Sequence, residues 1–199
     1  FFLPLIYPSL IWRMPAKVKE LYLTFDDGPM PGPTDFVLET LNTFSAKATF
    51  SSIGDNIRKY PEVLNKIISA GHAIGNHTFN HVDGWNTKTH AYLENVRLFD
   101  AQLPPEYSVT ELFRPPYGKI TRAQIKAMAH YRIVMWDVLS QDYNKNISPQ
   151  DCLRKTRASA RPGSIIVFHD SFKAEKSLRF VLPALLQHFN NEGYTFQRL

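Results

Sequence analysis

A chain of 199 residues, 44% hydrophobic, 13% aromatic and 21% charged, has the length and make-up of one globular domain and excludes disorder, collagen-like repeats and coiled coil. Its single cysteine, Cys152, excludes an internal disulfide framework and a four-cysteine zinc cluster, so any metal must be held by His and carboxylate. Lys and Arg outnumber Asp and Glu by 23 to 18, a net charge of +5; the densest basic group, Arg154, Lys155, Arg157 and Arg161, reads as a solvated helix face, and no nucleic-acid partner is expected.

The apolar run from Phe1 to Trp12 is too short to span a bilayer and carries Pro4 and Pro8. Residues 1–19 read as an extended segment packing on the domain, with a trimmed membrane anchor as the alternative. The compartment, cell envelope or cytoplasm, stays open. From residue 20 to 199, short β-rich runs alternate with helical patterns. Glu20 to Phe25 is a strand, and Thr34 can cap a helix running to Ser45. Lys47 to Ser51 is the second strand. Pro61 and Gly71 bracket a helix, and a third strand lies near His72 to Gly75.

Thr87 to Leu103 reads as a long helix and Leu112-Phe113 as a short strand. Thr121 caps a helix to Ala129, Arg132 to Trp136 forms a strand, and Ser148-Pro149 opens a helix to Ala160. Ser164 to Phe168 is a buried strand by its unbroken apolar run. A helix from Glu175 to Asn190 and a strand near Tyr194 to Gln197 complete the chain. About seven strand-then-helix units imply an α/β fold of parallel strands, closing into a single barrel, with an open doubly wound sheet as the alternative.

The unusual polar residues all follow strands. Asp26-Asp27-Gly28-Pro29 follows the first, His77 and His81 the third, Arg114-Pro115-Pro116-Tyr117 the fourth, Asp142 the next, and His169-Asp170 the strand after that. Carboxyl ends of strands are where an α/β barrel builds its active site. His77 and His81, four apart, would face one way on a helical turn and share a metal ion. Asp27 completes a His₂-carboxylate set with open coordination positions, which Zn²⁺, Co²⁺, Ni²⁺, Mn²⁺ and Fe²⁺ all tolerate. Turn chemistry accounts for one of the adjacent acids Asp26 and Asp27; the other is free to act as a base. His72, His90, His130 and His188 have no such surroundings and read as structural or surface residues.

Thr24-Phe25-Asp26-Asp27-Gly28-Pro29, His77-Thr78-Phe79-Asn80-His81, Arg114-Pro115-Pro116-Tyr117, Asp142 and Val167-Phe168-His169-Asp170 resemble, in order, the motifs of the NodB-homology polysaccharide deacetylases, carbohydrate esterase family 4. The resemblance implies a distorted (β/α)₇ barrel that removes acetyl groups from N-acetylated glycans such as chitin-like oligomers or peptidoglycan, or from O-acetylated xylan. It implies Asp26 as base, Asp27, His77 and His81 as ligands of one divalent ion (Zn²⁺ foremost), and Arg114 as the partner of Asp26. It also implies the Tyr117 N–H as an oxyanion donor, His169 as general acid and Asp142 as its partner. Tyr143 stands where the family usually has Trp, Leu139 where an acid is common, and Thr49-Phe50-Ser51-Ser52 departs from the family's run. Tyr117 and Tyr143 are the expected substrate contacts. A non-catalytic sugar-binding barrel and an Fe(II) oxygenase are the rival classes; the first lacks reason to keep Asp26 and His169, the second is usually all-β.

Overall fold

In a computed structural model that describes residues 3–107 and 111–199, all eight strands belong to one sheet of parallel pairs. Phe1 and Phe2 of the apolar run lie outside the described residues. Strand β1 (Glu20–Asp26) is central. It pairs with β2 (Thr49–Ser52) and, on its other edge, with β7 (Ile165–His169). Beyond β2 come β3 (Ala73–Asn76), β4 (Leu112–Phe113) and β5 (Arg132–Ile133); beyond β7 comes β6 (Val138–Leu139). The order β5-β4-β3-β2-β1-β7-β6 is that of a barrel with one seam, between β5 and β6. Strand β8 (Thr195–Gln197) pairs with the first residues of β1, below β2. This is the distorted barrel expected from sequence, and the open doubly wound alternative falls, because no reversal of strand order occurs.

The period of two along β1 sorts its side chains. Leu21, Leu23 and Phe25 face outward into the main core, where Phe25 stacks between Phe50 and Phe168 at centroid distances of 5.2 and 5.9 Å. Helices α2 (Pro33–Thr43), α4 (Pro61–Ser69), α7 (Pro149–Ser159) and α8 (Glu175–Asn191) cover that face. Each such side chain contributes about 2 kcal/mol by leaving water. Tyr22, Thr24 and Asp26 point the other way, toward the lumen, as do Ile165, Val167 and His169 of β7. Strand ends therefore deliver alternating polar groups to one mouth.

Local structure departs from expectation in three places along this part of the fold. The run Arg132 to Trp136 is not one strand. It forms β5, crosses the seam through Val134–Asp137, and re-enters the sheet on the far edge as β6, so Asp142 follows β6. The short helix α3 (Gly54–Lys59) also went unread, because six residues carry too little periodicity to show. The N-terminal segment is not wholly extended: Leu3–Ile6 makes one helical turn, α1. Beyond it Ile11 bridges Val134 in parallel, and Leu10 and Trp12 are buried. Met14 N–H then donates to Gly163 O at 2.9 Å, so this segment runs from the β5 edge to the turn before β7. Elsewhere the capping signals hold: Thr121 Oγ1 accepts from Gln124 N, opening α6 (Arg122–Ala127), and Ser148 Oγ accepts from Asp151 N at the start of α7.

Candidate active site

Asp26 and His169 are register partners on β1 and β7, so their side chains enter the lumen at one level. With Asp27, His77, His81, Trp136 and Tyr143 they line a cavity of about 320 Å³ at the carboxyl ends of the strands. Asp26 is buried, and its Oδ1 accepts from Arg114 Nη1 at 2.8 Å. Burial would raise the Asp26 carboxyl, but the Arg114 guanidinium, aided by His77 and His169, holds it below the usual carboxylate range. Arg114 is itself 1% exposed. Its remaining donors go to Thr24 Oγ1 at 2.6 Å, Val134 O at 3.2 Å and Met135 O at 3.0 Å. A buried cation so fully bonded keeps its geometry.

Asp27, at φ 80°, turns out of the strand and meets both histidines. His81 Nε2 lies 3.3 Å and His77 Nε2 3.9 Å from Asp27 Oδ1. One donor atom from each of the three falls within 4.8 Å of the others. His77 Nδ1–H donates to Arg114 O at 2.7 Å, which fixes the tautomer and leaves the Nε2 lone pair facing the cluster. His81 Nδ1 sits 3.1 Å from Tyr117 Oη, and burial together with His77 depresses its pKa to about 4, keeping it neutral. Two imidazoles with Nε2 directed at one carboxylate fit a divalent cation.

The helical turn expected to align His77 and His81 is absent. Both lie in the loop after β3, and Thr78 and His81 adopt positive φ (64° and 55°). Side chains hold that loop where helix bonds do not. Asn76 Oδ1 accepts from Thr78 N, and Asn95 Oδ1 accepts from Phe79 N and Asn80 N, the latter acceptor offered by α5 (Thr89–Asp100). Spacing alone could not reveal this, since the brace comes from another element.

Across the cavity, Asp142 takes both donors of His169: ring Nδ1–H to Oδ1 and backbone N–H to Oδ2, each 2.8 Å. Burial opposes a charge on His169, yet the bond and charge of Asp142, with Asp26 and Asp27 beyond, push its pKa up to about 9. Nε2 is the ring nitrogen left for the cavity. Tyr143 packs edge-on against that ring at 4.8 Å, and Leu139 lines the same wall. Tyr117, at φ 60°, is 62% exposed at the rim beside Trp85, 63% exposed, with Lys119 Nζ 5.5 Å from each ring.

Sequence reasoning missed three contributors. Trp136 faces the Arg114 guanidinium at 5.8 Å. Lys173 lines the cavity with its Nζ 5.1 Å from the Tyr143 ring. Asp170, quoted only as part of a motif, is fully buried; its Oδ1 accepts from Gly28 N at 3.0 Å and its Oδ2 from Thr34 Oγ1 at 2.6 Å. Burial pushes that carboxyl up to about 8. Thr34, expected as a helix cap, instead joins this clamp beneath the Asp26-Asp27 turn. His72 accepts from Ala48 N in the core, a structural role as expected, and burial lowers its pKa to about 4.

Residues 13–136 match the family model described as polysaccharide deacetylase. A peptidoglycan-N-acetylglucosamine deacetylase of Bacillus cereus is 34% identical over 93% of this chain and 88% of its own length. A chitooligosaccharide deacetylase of Azorhizobium caulinodans is 32% identical over 87% of this chain and 91% of its own. Among solved structures, the Bc1960 peptidoglycan N-acetylglucosamine deacetylase, in complex with an N-oxidanyl-benzamide, superposes with a TM-score of 0.92 at 27% identity, covering 100% of this chain and 94% of that one.

Proposed function

Since this chain belongs to the polysaccharide deacetylase family, we propose that it hydrolyses the acetamide of N-acetylglucosamine-containing glycans, releasing acetate and leaving a free amine. One arrangement supports the reading above all: the Asp26–Arg114 and His169–Asp142 pairs flank the Asp27, His77 and His81 donors within one cavity. Those three residues would hold one divalent ion, and Zn²⁺ suits two imidazoles and a carboxylate with open positions. Such an ion would supply a Lewis acid there, polarising the acetyl carbonyl and acidifying water.

The remaining work falls to side chains and backbone. Asp26, ionised and with Oδ1 engaged by Arg114, accepts the proton of the attacking water at Oδ2. The Tyr117 N–H donates to the oxygen that becomes negative as the carbonyl carbon turns tetrahedral. His169, protonated because Asp142 holds Nδ1, gives its Nε2 proton to the departing nitrogen, without which the C–N bond re-forms. The rings of Tyr143, Tyr117 and Trp85 offer faces to sugar rings along the rim.

Acetate release from N-acetylglucosamine oligomers and from peptidoglycan tests the activity. Asp26→Asn should retain metal by elemental analysis and lose turnover, whereas His77→Ala should lose both. A metal-free or fully active Asp26→Asn protein refutes this division of roles.

A further inference from the structure

Beside the catalytic cavity lies a second and larger hollow, about 680 Å³, behind the wall formed by Asp142. Lys145, Lys173 and Lys176 all line it, and Lys173 lines the catalytic cavity as well. The three come from separate stretches: the loop after β6, the loop after β7 and the first turn of α8. Among the described residues none of these ammonium groups has a carboxylate within ion-pair distance, whereas Lys59, Lys66 and Lys119 each do. Asp142 is the acid in the lining, and both of its oxygens are spent on His169. Glu175, the nearest acid in sequence, is bonded to Arg179. Phe172, 64% exposed, forms an apolar patch on the same wall.

We propose that this trough receives a carboxylate carried on the glycan, so that the enzyme prefers anionic N-acetylated glycans to neutral ones. The inference rests on the deacetylase reading and sharpens its substrate. Three spaced, hydrated point charges suit a carboxylate on a flexible substituent better than a phosphate; among the described residues the lining lacks the Arg fork that grips phosphate oxygens bidentately. Phe172 suits a substituent whose carboxylate is attached to alkyl carbon. Because Lys173 lines both hollows, the carboxylate belongs to a substituent of the sugar under attack or of its neighbour. A glycan of plain N-acetylglucosamine would fill the catalytic cavity and leave the trough to water.

The test compares three substrates of similar length: a neutral N-acetylglucosamine oligomer, peptidoglycan strands stripped of peptide (free lactyl carboxylates), and strands bearing peptide. Wild-type kcat/KM should be higher on one or both anionic substrates, the stripped strands separating a sugar-borne carboxylate from a peptide-borne one. In Lys145→Gln/Lys176→Gln, KM for the preferred anionic substrate should rise about 3- to 10-fold, the sum of two exposed ion pairs. Its kcat, and kcat/KM on the neutral oligomer, should stay within about twofold, the range of an unpaired surface site. Salt at about 0.5 M should erase the wild-type preference, since exposed charges are then screened. Binding of the same strands to metal-free protein, followed by calorimetry, reads the trough without turnover and should weaken in the double variant. Equal losses on neutral and anionic substrates, no wild-type preference, or unchanged binding by the variant would overturn the proposal. Absence of acetate from every substrate, with binding still charge-dependent, overturns the deacetylase reading and leaves the trough standing.

Discussion

Replacing Asp142 with Asn keeps the shape of the site and removes the charge behind His169. In the wild type that imidazole carries a pKa of about 9, because the bond and charge of Asp142 overcome a burial penalty acting the other way. Once Asp142 is neutral, burial faces only the more distant Asp26 and Asp27, and the pKa falls to the free-imidazole value of about 6.5 or below. At pH 8 the protonated fraction then drops from about 0.9 to about 0.03, a loss of roughly 30-fold in kcat/KM, while at pH 6.5 the loss is only about twofold. A bound divalent cation lowers the pKa in both proteins, so the displacement between their alkaline limbs is the quantity to read. Profiles of kcat/KM from pH 5 to 10, with metal content matched, measure it. An alkaline limb that does not move would refute the pairing of Asp142 with His169 as the source of the acid.

Two further predictions concern the clamp beneath the Asp26-Asp27 turn. A Cβ on Gly28 would stand 2.0 Å from Asp170 Oδ2, a buried atom already bonded to Thr34, so Gly28→Ala should cost about 1–3 kcal/mol in denaturant unfolding; an unchanged midpoint would show that the turn is free to shift. The Asp170 carboxyl is raised from 3.8 to about 8 by burial. A group raised on folding gives its full stabilisation below the unfolded pKa and loses it as pH climbs through the folded one, here between about 4 and 8. Asp170→Asn should therefore gain on the wild type across that window, by up to about 1.4 kcal/mol per pH unit, and run parallel above it. Parallel unfolding curves throughout would refute a neutral Asp170.

The barrel was legible because its strands are apolar runs closed by polar clusters, and helices with strong end signals, such as the one opened by Ser148-Pro149, stood out. The gathering of Asp27, His77 and His81 could be anticipated from their places after strands. What stayed hidden depends on contacts between distant segments. The histidine loop is shaped by Asn76 and Asn95 rather than by helical hydrogen bonds, and a spacing of four suggests a helix by default. Strand β6 is two residues long, and pairing with β7 alone defines it. Lys173 follows no motif; its position emerges only when the loop after β7 folds over Tyr143.

Arg114 has a second role besides facing Asp26. The seam between β5 and β6 has no strand ladder, and the residues that cross it offer their carbonyls, Val134 O and Met135 O, to the same guanidinium that holds Asp26 and Thr24. One side chain thus works as a keystone for closure and as the counter-charge of the proposed base, Asp26. Any breathing that parts the two edges strips Asp26 of its partner in the same movement, making catalytic competence a reporter of barrel integrity. Selection cannot retune the one without loosening the other: a lysine here, with its three donors on a single nitrogen, could not span all four acceptors.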